Sequence, residues 1–117
     1  MREVVKAFKA LSDETRLRIL NLLMERECCV CEVVQALDIS QTRASRNLTI
    51  LYDAGFLKLR HEGLWALYSI DQRNLQEYHL ALLESVKQGL KGNAIAIQDR
   101  QRLKTTERIG PVCVSRS

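Results

Sequence analysis

The sequence predicts a mainly α-helical domain carrying one small β-hairpin. Three observations support this. Apolar residues recur at helical spacing over most of the 117 residues. The single proline, Pro111, leaves the rest of the chain without a strong helix breaker. Two short alternating runs flank His61-Glu62-Gly63, as the strands of a hairpin would. With 46% hydrophobic and 27% charged residues, the composition is that of a soluble globular chain with a modest core. No apolar run approaches the ~20 residues of a membrane helix, and Met1 to Leu11 lacks the apolar centre of a signal peptide. The expected compartment is the cytoplasm, with no membrane partner.

Val4, Phe8 and Leu11 recur at i, i+4, i+7 and predict a short first helix. Ser12 is the expected N-cap of the second, with Asp13 and Glu14 in its first turn. That helix runs to about Glu27, with Leu17, Leu20, Leu23 and Met24 on one side. Ile19 and Leu22 on another side imply burial on more than one face. A third helix spans roughly Cys31 to Leu37, and Asp38-Ile39-Ser40 makes a turn. Ser40 caps a fourth helix from Gln41 to Ala54, whose core face is Ala44, Leu48 and Leu51. Gly55 ends it, as glycine accepts the left-handed conformation at that point.

Phe56 to Arg60 and Leu64 to Ile70 are the expected strands. Asp71 then caps a long helix with Leu75, Tyr78, Leu82 and Val86 in one stripe, and His79 is expected at its surface or at an interface. The periodicity weakens beyond Gly89. The chain therefore divides into a domain over 1–90 and a basic tail over 91–117, either partly disordered or docking.

The net charge is +4, unevenly spread. Residues 1–86 hold 11 Lys and Arg against 12 Asp and Glu, whereas residues 87–117 hold 7 against 2. A basic surface in the body must therefore come from local clustering, which occurs at Arg43 and Arg46 and again at Lys58, Arg60 and His61.

Two helices joined by a tight turn, the second polar and basic on one face, suit the major groove of DNA. The candidate contacts are Ser40, Gln41, Thr42, Arg43, Ser45 and Arg46, because Arg pairs bidentately with guanine, Gln with adenine, and Ser or Thr with bases or phosphates. Arg60 and His61 on the hairpin would act as a wing along the phosphate backbone. The same polar residues also describe an ordinary solvated helix face; the turn and the basic hairpin favour DNA.

These segments resemble the ArsR/SmtB metalloregulators. Phe8-Lys9-Ala10-Leu11-Ser12-Asp13-Glu14-Thr15-Arg16-Leu17-Arg18-Ile19-Leu20 is similar to their opening helices. Ile39-Ser40-Gln41-Thr42-Arg43-Ala44-Ser45-Arg46-Asn47-Leu48 resembles their recognition helix, with Asn47 in place of a customary histidine. Leu51-Tyr52-Asp53-Ala54-Gly55-Phe56-Leu57 resembles the exit into the wing. The resemblance covers about residues 4–86. It implies a winged helix-turn-helix repressor that dimerises with itself through the first and last helices and reads pseudo-palindromic operator DNA. The wide apolar stripe on the last helix agrees with a dimer.

Cys28, Cys29 and Cys31 crowd into four residues just before the turn, and Cys113 lies in the tail. Three thiols so close cannot staple distant segments, so the cluster reads as metal-binding or redox-active. On a regular helix Cys28 and Cys31 would lie about 60° apart and Cys29 nearly opposite Cys31, so binding by all three requires a non-helical segment. The arsenic branch of the family has a Cys-x-Cys pair here with a third cysteine three residues on. Cys29 and Cys31 match the pair, but Val34 holds the third position, which leaves Cys28 or Cys113 to complete a set.

Thiolates favour soft ions. The expected inducer is trivalent arsenic or antimony, with no organic cofactor. Cadmium, zinc or lead, or a thiol redox signal, would suit a repressor of the same fold, and a zinc-bound protein-interaction module is a further alternative. Buried cysteines acting as small core residues are the bland reading. An enzyme is not expected, since no nucleophile–base pair, phosphate loop or paired buried carboxylates occur.

Overall fold

The computed structural model describes residues 1–109. Its centre is the helix α2 (Glu14–Glu25), whose sequence is apolar on several sides and which buries Ile19, Leu20, Leu22 and Leu23. Asp13, rather than Ser12, caps it: the carboxylate accepts from the Arg16 N–H at 3.0 Å. Ser12 instead closes α1 (Arg2–Leu11), its hydroxyl donating to the Phe8 carbonyl at 3.1 Å. Helix α1 meets the core through Ala7 and Ala10, while Phe8, expected in the buried stripe, is half exposed. Small residues let α1 lie close to its neighbours and turn its larger side chains outward.

Arg16 ties three helices together. Its Nε and Nη2 donate to the carbonyls of Ala10 and Lys9 at 2.7 and 3.2 Å, satisfying the end of α1, and its Nη1 donates to Asn47 Oδ1 at 2.9 Å. Asn47 belongs to α4 (Gln41–Asp53), whose buried face is Ala44, Leu48 and Leu51 as expected. Ser40 caps α4 by accepting from the Arg43 N–H at 3.1 Å. Gly55, at φ +90°, then turns the chain into β2 (Leu57–Glu62).

A two-residue turn, Gly63-Leu64, joins β2 to β3 (Trp65–Ile70), so both strands differ from the expected ones and the turn falls one residue later. Gly63 has φ +61°, at the position where some two-residue hairpin loops require glycine. The sheet has a third strand that periodicity did not reveal, β1 (Cys28–Cys29), in the antiparallel order β1-β3-β2. Its register pairs Cys28 with Tyr68 and Cys29 with Leu67. Helix α3 (Val30–Leu37) follows directly.

Helix α5 (Glu77–Leu90) starts later than expected. Asp71 makes a turn with Asn74, and Gln76 is the N-cap. His79 is a core residue, not a surface one. It lies edge-on to Phe56 and tilted against Tyr78, its Nδ1 accepts from the Gln76 N–H at 3.3 Å, and its Nε2 lies 3.0 Å from the Ala54 carbonyl. A side chain at Gly55 would meet that imidazole at 3.0 Å. Leu80 on α5 and Val5 and Phe8 on α1 remain exposed.

Residues past Gly92 form a sixth helix, α6 (Ala94–Leu103), packed on α2 and α3. It buries Ala96, Asp99 and Leu103, a face whose central residue is an acid and which a hydrophobic pattern therefore hides. Asp99, 1% exposed, accepts from Arg18 Nε and Nη2 at 2.8 and 2.9 Å. Asn21 donates to the Ala96 carbonyl at 3.0 Å and accepts from Arg100 at 2.7 Å. A buried carboxylate held by a bidentate guanidinium gives α6 a fixed seat on α2. Among the described residues, no helix is long and apolar enough to cross a membrane.

Candidate functional site

The three clustered cysteines divide by backbone conformation. Cys28 and Cys29 are extended and α3 begins only at Val30, so adjacent side chains in β1 point to opposite faces. Cys28 enters the main core with Leu23, Val33 and Tyr68, and its thiol donates to the Arg26 carbonyl at 3.5 Å. Burial, reinforced by the charge of Glu32, pushes that thiol up to about 12. Cys29 is the N-cap of α3, and this brings it onto the side of Cys31. Their Cα atoms are 5.5 Å apart and their sulfurs are joined in a disulfide. The pairing is therefore Cys29 with Cys31, not the Cys28 with Cys31 of a regular helix. Leu67 and Trp65 of β3 pack against the pair, which is buried. Among the described residues, no group of three or more His, Cys, Asp or Glu gathers as a metal site. Cys113 lies outside the described residues.

Glu32, one residue past Cys31, is 3% exposed and organises this end of α3. Its Oε1 accepts from the Cys29 N–H at 2.9 Å, closing a capping box. Arg26 Nη1 donates to Oε2 at 2.6 Å and Arg108 Nε to Oε1 at 3.1 Å. The Arg108 guanidinium also lies 5.6 Å from the centre of the Trp65 ring. A buried carboxylate needs such partners, because an unpaired charge at this depth is costly. Glu32 was legible in the sequence as a helix-start charge. Arg108 and Trp65 were not assigned to the site, and no local pattern marks them.

The candidate DNA face lies on α4. Thr42, Arg43, Ser45 and Arg46 are exposed and Gln41 is half exposed, all on the side opposite Ala44, Leu48 and Leu51. Ser40 spends its hydroxyl oxygen on the helix cap. Arg43 Nη2 donates to Thr15 Oγ1 at 2.8 Å, which draws its guanidinium back toward α2. Arg46 has no side-chain hydrogen bond or ion pair among the described residues. Asn47 does not face outward: it is buried, accepts from Arg16, and donates to the Arg43 carbonyl at 2.9 Å.

Arg60 and His61 are both exposed on β2, two strand positions from the turn. Arg60 is already engaged. Its Nε and Nη2 donate to Glu27 at 2.8 and 2.7 Å, and Glu62 lies 3.2 Å away. The hydrogen bond from Arg60, together with its charge, holds the Glu27 carboxyl below its usual range, and Glu27 in turn raises Arg60. The structure thus separates an α4 face with a free cation from a wing whose arginine is paired within the chain.

Comparisons with known proteins agree with this architecture. Residues 13–58 match the family model of bacterial regulatory proteins of the arsR family. A cadmium resistance transcriptional regulatory protein CadC homolog of Staphylococcus aureus is 41% identical over 76 residues, covering 64% of this chain and 63% of that protein. This chain thus spans less than two thirds of that relative. The arsenic resistance transcriptional regulator ArsR2 of Pseudomonas putida is 38% identical over 96 residues, 79% of this chain and 84% of that regulator. Among solved structures, the homodimeric winged helix-turn-helix DNA-binding domain of Mycobacterium bovis Mb0332 superposes with a TM-score of 0.65 at 30% identity, covering 80% of this chain and 82% of that one. The fold and family are those of DNA-binding transcriptional regulators rather than enzymes. The α1–α4 core with its β2–β3 wing is thus a winged helix-turn-helix, and this chain belongs to the ArsR family.

Proposed function

We propose that this chain is a repressor whose ligand-free homodimer holds operator DNA and lets go when trivalent arsenic or antimony is captured by cysteine thiolates. The observation that carries this reading is the meeting of Cys29 and Cys31 at the first turn of α3. Helix α3 leads through Asp38-Ile39-Ser40 into α4, and Asp38 takes a left-handed conformation at φ 55°. A change at the start of α3 is therefore passed through a three-residue joint to the DNA-reading helix.

The donor set fits a thiophilic trivalent ion. Two thiols whose Cα atoms lie 5.5 Å apart supply two of the three bonds of a pyramidal trithiolate. Cys113 is the candidate third ligand: it lies five residues past Arg108, a span of at most ~18 Å of extended chain. Cys28 points away, into the core. Capture of arsenite by three thiols releases three waters and leaves three As–S bonds. The Cys29–Cys31 disulfide must first be reduced, with two electrons from a cellular thiol.

On the DNA side, Gln41, Thr42, Arg43, Ser45 and Arg46 would read the major groove, with Ser40 at the helix start and Arg60 and His61 along the backbone. Dimerisation would cover Val5 and Phe8 of α1 and Leu80 of α5. It would place two reading helices on pseudo-palindromic half-sites ~34–36 Å apart, or a multiple of that. A repressor that acts on chromosomal DNA works in the cytoplasm.

The joined sulfurs of Cys29 and Cys31 favour a second reading, a redox switch. Oxidation of the dithiol by hydrogen peroxide would form the disulfide and two waters. The deciding experiment is titration of the reduced protein on its own promoter DNA with arsenite, at fixed salt and with excess reductant. Release near one arsenic per subunit supports the metalloid reading. Binding that survives arsenite overturns it, and release by peroxide, or by cadmium in the same assay, then identifies the alternative.

A further inference from the structure

Cys29 and Cys31 are 1% and 4% exposed, so a ligand reaches them only after something moves. Strand β3, which supplies Leu67 and Trp65, is paired on both edges and is expensive to displace. The chain after α6 is held differently. Arg26 Nη2 donates to the Leu103 carbonyl and to Thr106 Oγ1, both at 3.2 Å. Gln35 brackets Glu107, donating to its carbonyl at 2.6 Å and accepting from its N–H at 3.1 Å. Arg108 then reaches Glu32 and the Trp65 ring, the two residues that flank the sulfurs. The ties from Glu107 and Arg108 to the body run through side chains on the surface of α3 and β3, the kind of contact that opens locally before the rest of a fold does.

We propose that residues 103–108 are a latch over the Cys29–Cys31 pair, closed by Arg108 between Glu32 and Trp65, and that it opens to admit a thiophilic ligand. The inference rests on reading Cys29 and Cys31 as the ligand pair. Arg26 makes the latch responsive, because one guanidinium holds Glu32 at the start of α3 and the 103–106 segment at once. Any ligand that shifts the Cys29 N-cap disturbs the Cys29 N–H bond to Glu32, and with it both arginines. Arg108 acts here as a gate and positioning residue that need not touch the ligand itself.

The test is the rate at which iodoacetamide labels each cysteine of the reduced full-length protein, in a Cys113→Ser background, mapped by mass spectrometry. Arg108→Ala should speed labelling of Cys29 and Cys31 by about tenfold or more, as expected when a local opening becomes easier. Arg108→Lys, which keeps the charge, should fall between. Cys28 shares their segment but faces the core, and its rate should not change. Gln35→Ala, which releases Glu107 alone, should give a smaller acceleration in the same direction and serves if Arg108→Ala folds poorly. Unchanged labelling of Cys29 and Cys31 overturns the latch. So does an equal acceleration of Cys28, which would mean the whole domain had loosened. No arsenite or DNA enters this assay, so its failure and the failure of metalloid sensing are separate results.

Discussion

The start of α3 and the outer face of α4 are joined by three residues, yet they are built on opposite principles. At α3 the functional groups are buried and committed: Cys29 is joined to Cys31, and Glu32 accepts from Cys29, Arg26 and Arg108. At α4 the polar face is open, and Arg46 is left without an ion pair among the described residues. A sensing site must hold a defined shape that a ligand can break, which calls for satisfied and desolvated contacts. A reading face must leave its charges for phosphates and bases to neutralise. The wing lies between these extremes, because Arg60 is exposed but already paired with Glu27.

The contrast can be broken most sharply at the thiols. Cys31→Ser should leave operator affinity nearly unchanged and abolish release by arsenite, measured by fluorescence anisotropy on promoter DNA. A variant that still responds would remove Cys31 from the site. Next in size is Arg18→Ala, which strands the buried carboxylate of Asp99 beneath α6. A loss of about 3–5 kcal/mol is expected in urea unfolding, the scale for breaking a buried pair. Retention of full stability would mean that α6 is not seated by this pair.

On the open face, Arg46→Ala should weaken operator binding by about 1–3 kcal/mol if it reads a base, with relaxed preference at one position of the half-site. A uniform loss across sequences would make it a phosphate contact instead.

The smallest effect is expected at the wing. Glu27→Gln frees Arg60, and one added phosphate contact should steepen the slope of log affinity against log salt by about one. The same pair has a pH signature. Because the Glu27 carboxyl is lowered from its ordinary value of 4.5 in the folded chain, its contribution to stability is present above that pH and is lost as pH falls through the folded value. The stability difference between the parent and Glu27→Gln should therefore vanish on acidification. A difference that grows toward acid would reverse the assignment.

Local pattern carried much of this molecule. Ala44, Leu48 and Leu51 on the core face of α4, the Ser40 cap and the turn at Gly55 depend on residues within one or two helical turns of each other, and all were legible. Where two local solutions competed, the sequence alone did not choose. Ser12 and Asp13 are both good caps, and the hairpin turn could fall at His61-Glu62-Gly63 or at Gly63-Leu64. His79 looked like a surface or interface residue because its own helix stripe passes beside it. The approach of Phe56 and of the Ala54 carbonyl from the end of α4 buries it.

What the sequence by itself determined is therefore the family, the reading helix and the presence of a thiol cluster, since each is written in neighbouring residues. Which thiols meet was a tertiary decision: pairing with β3 pulls Cys28 and Cys29 into a strand, and a strand sends adjacent side chains to opposite faces. The same holds for the partners that frame the site. Glu32 and Arg108 lie 76 residues apart, and Arg18 and Asp99 lie 81 apart. No periodicity spans such distances; those charges find each other only because a core of apolar residues folds α6 back onto α2 and α3, where a buried carboxylate cannot remain unpaired.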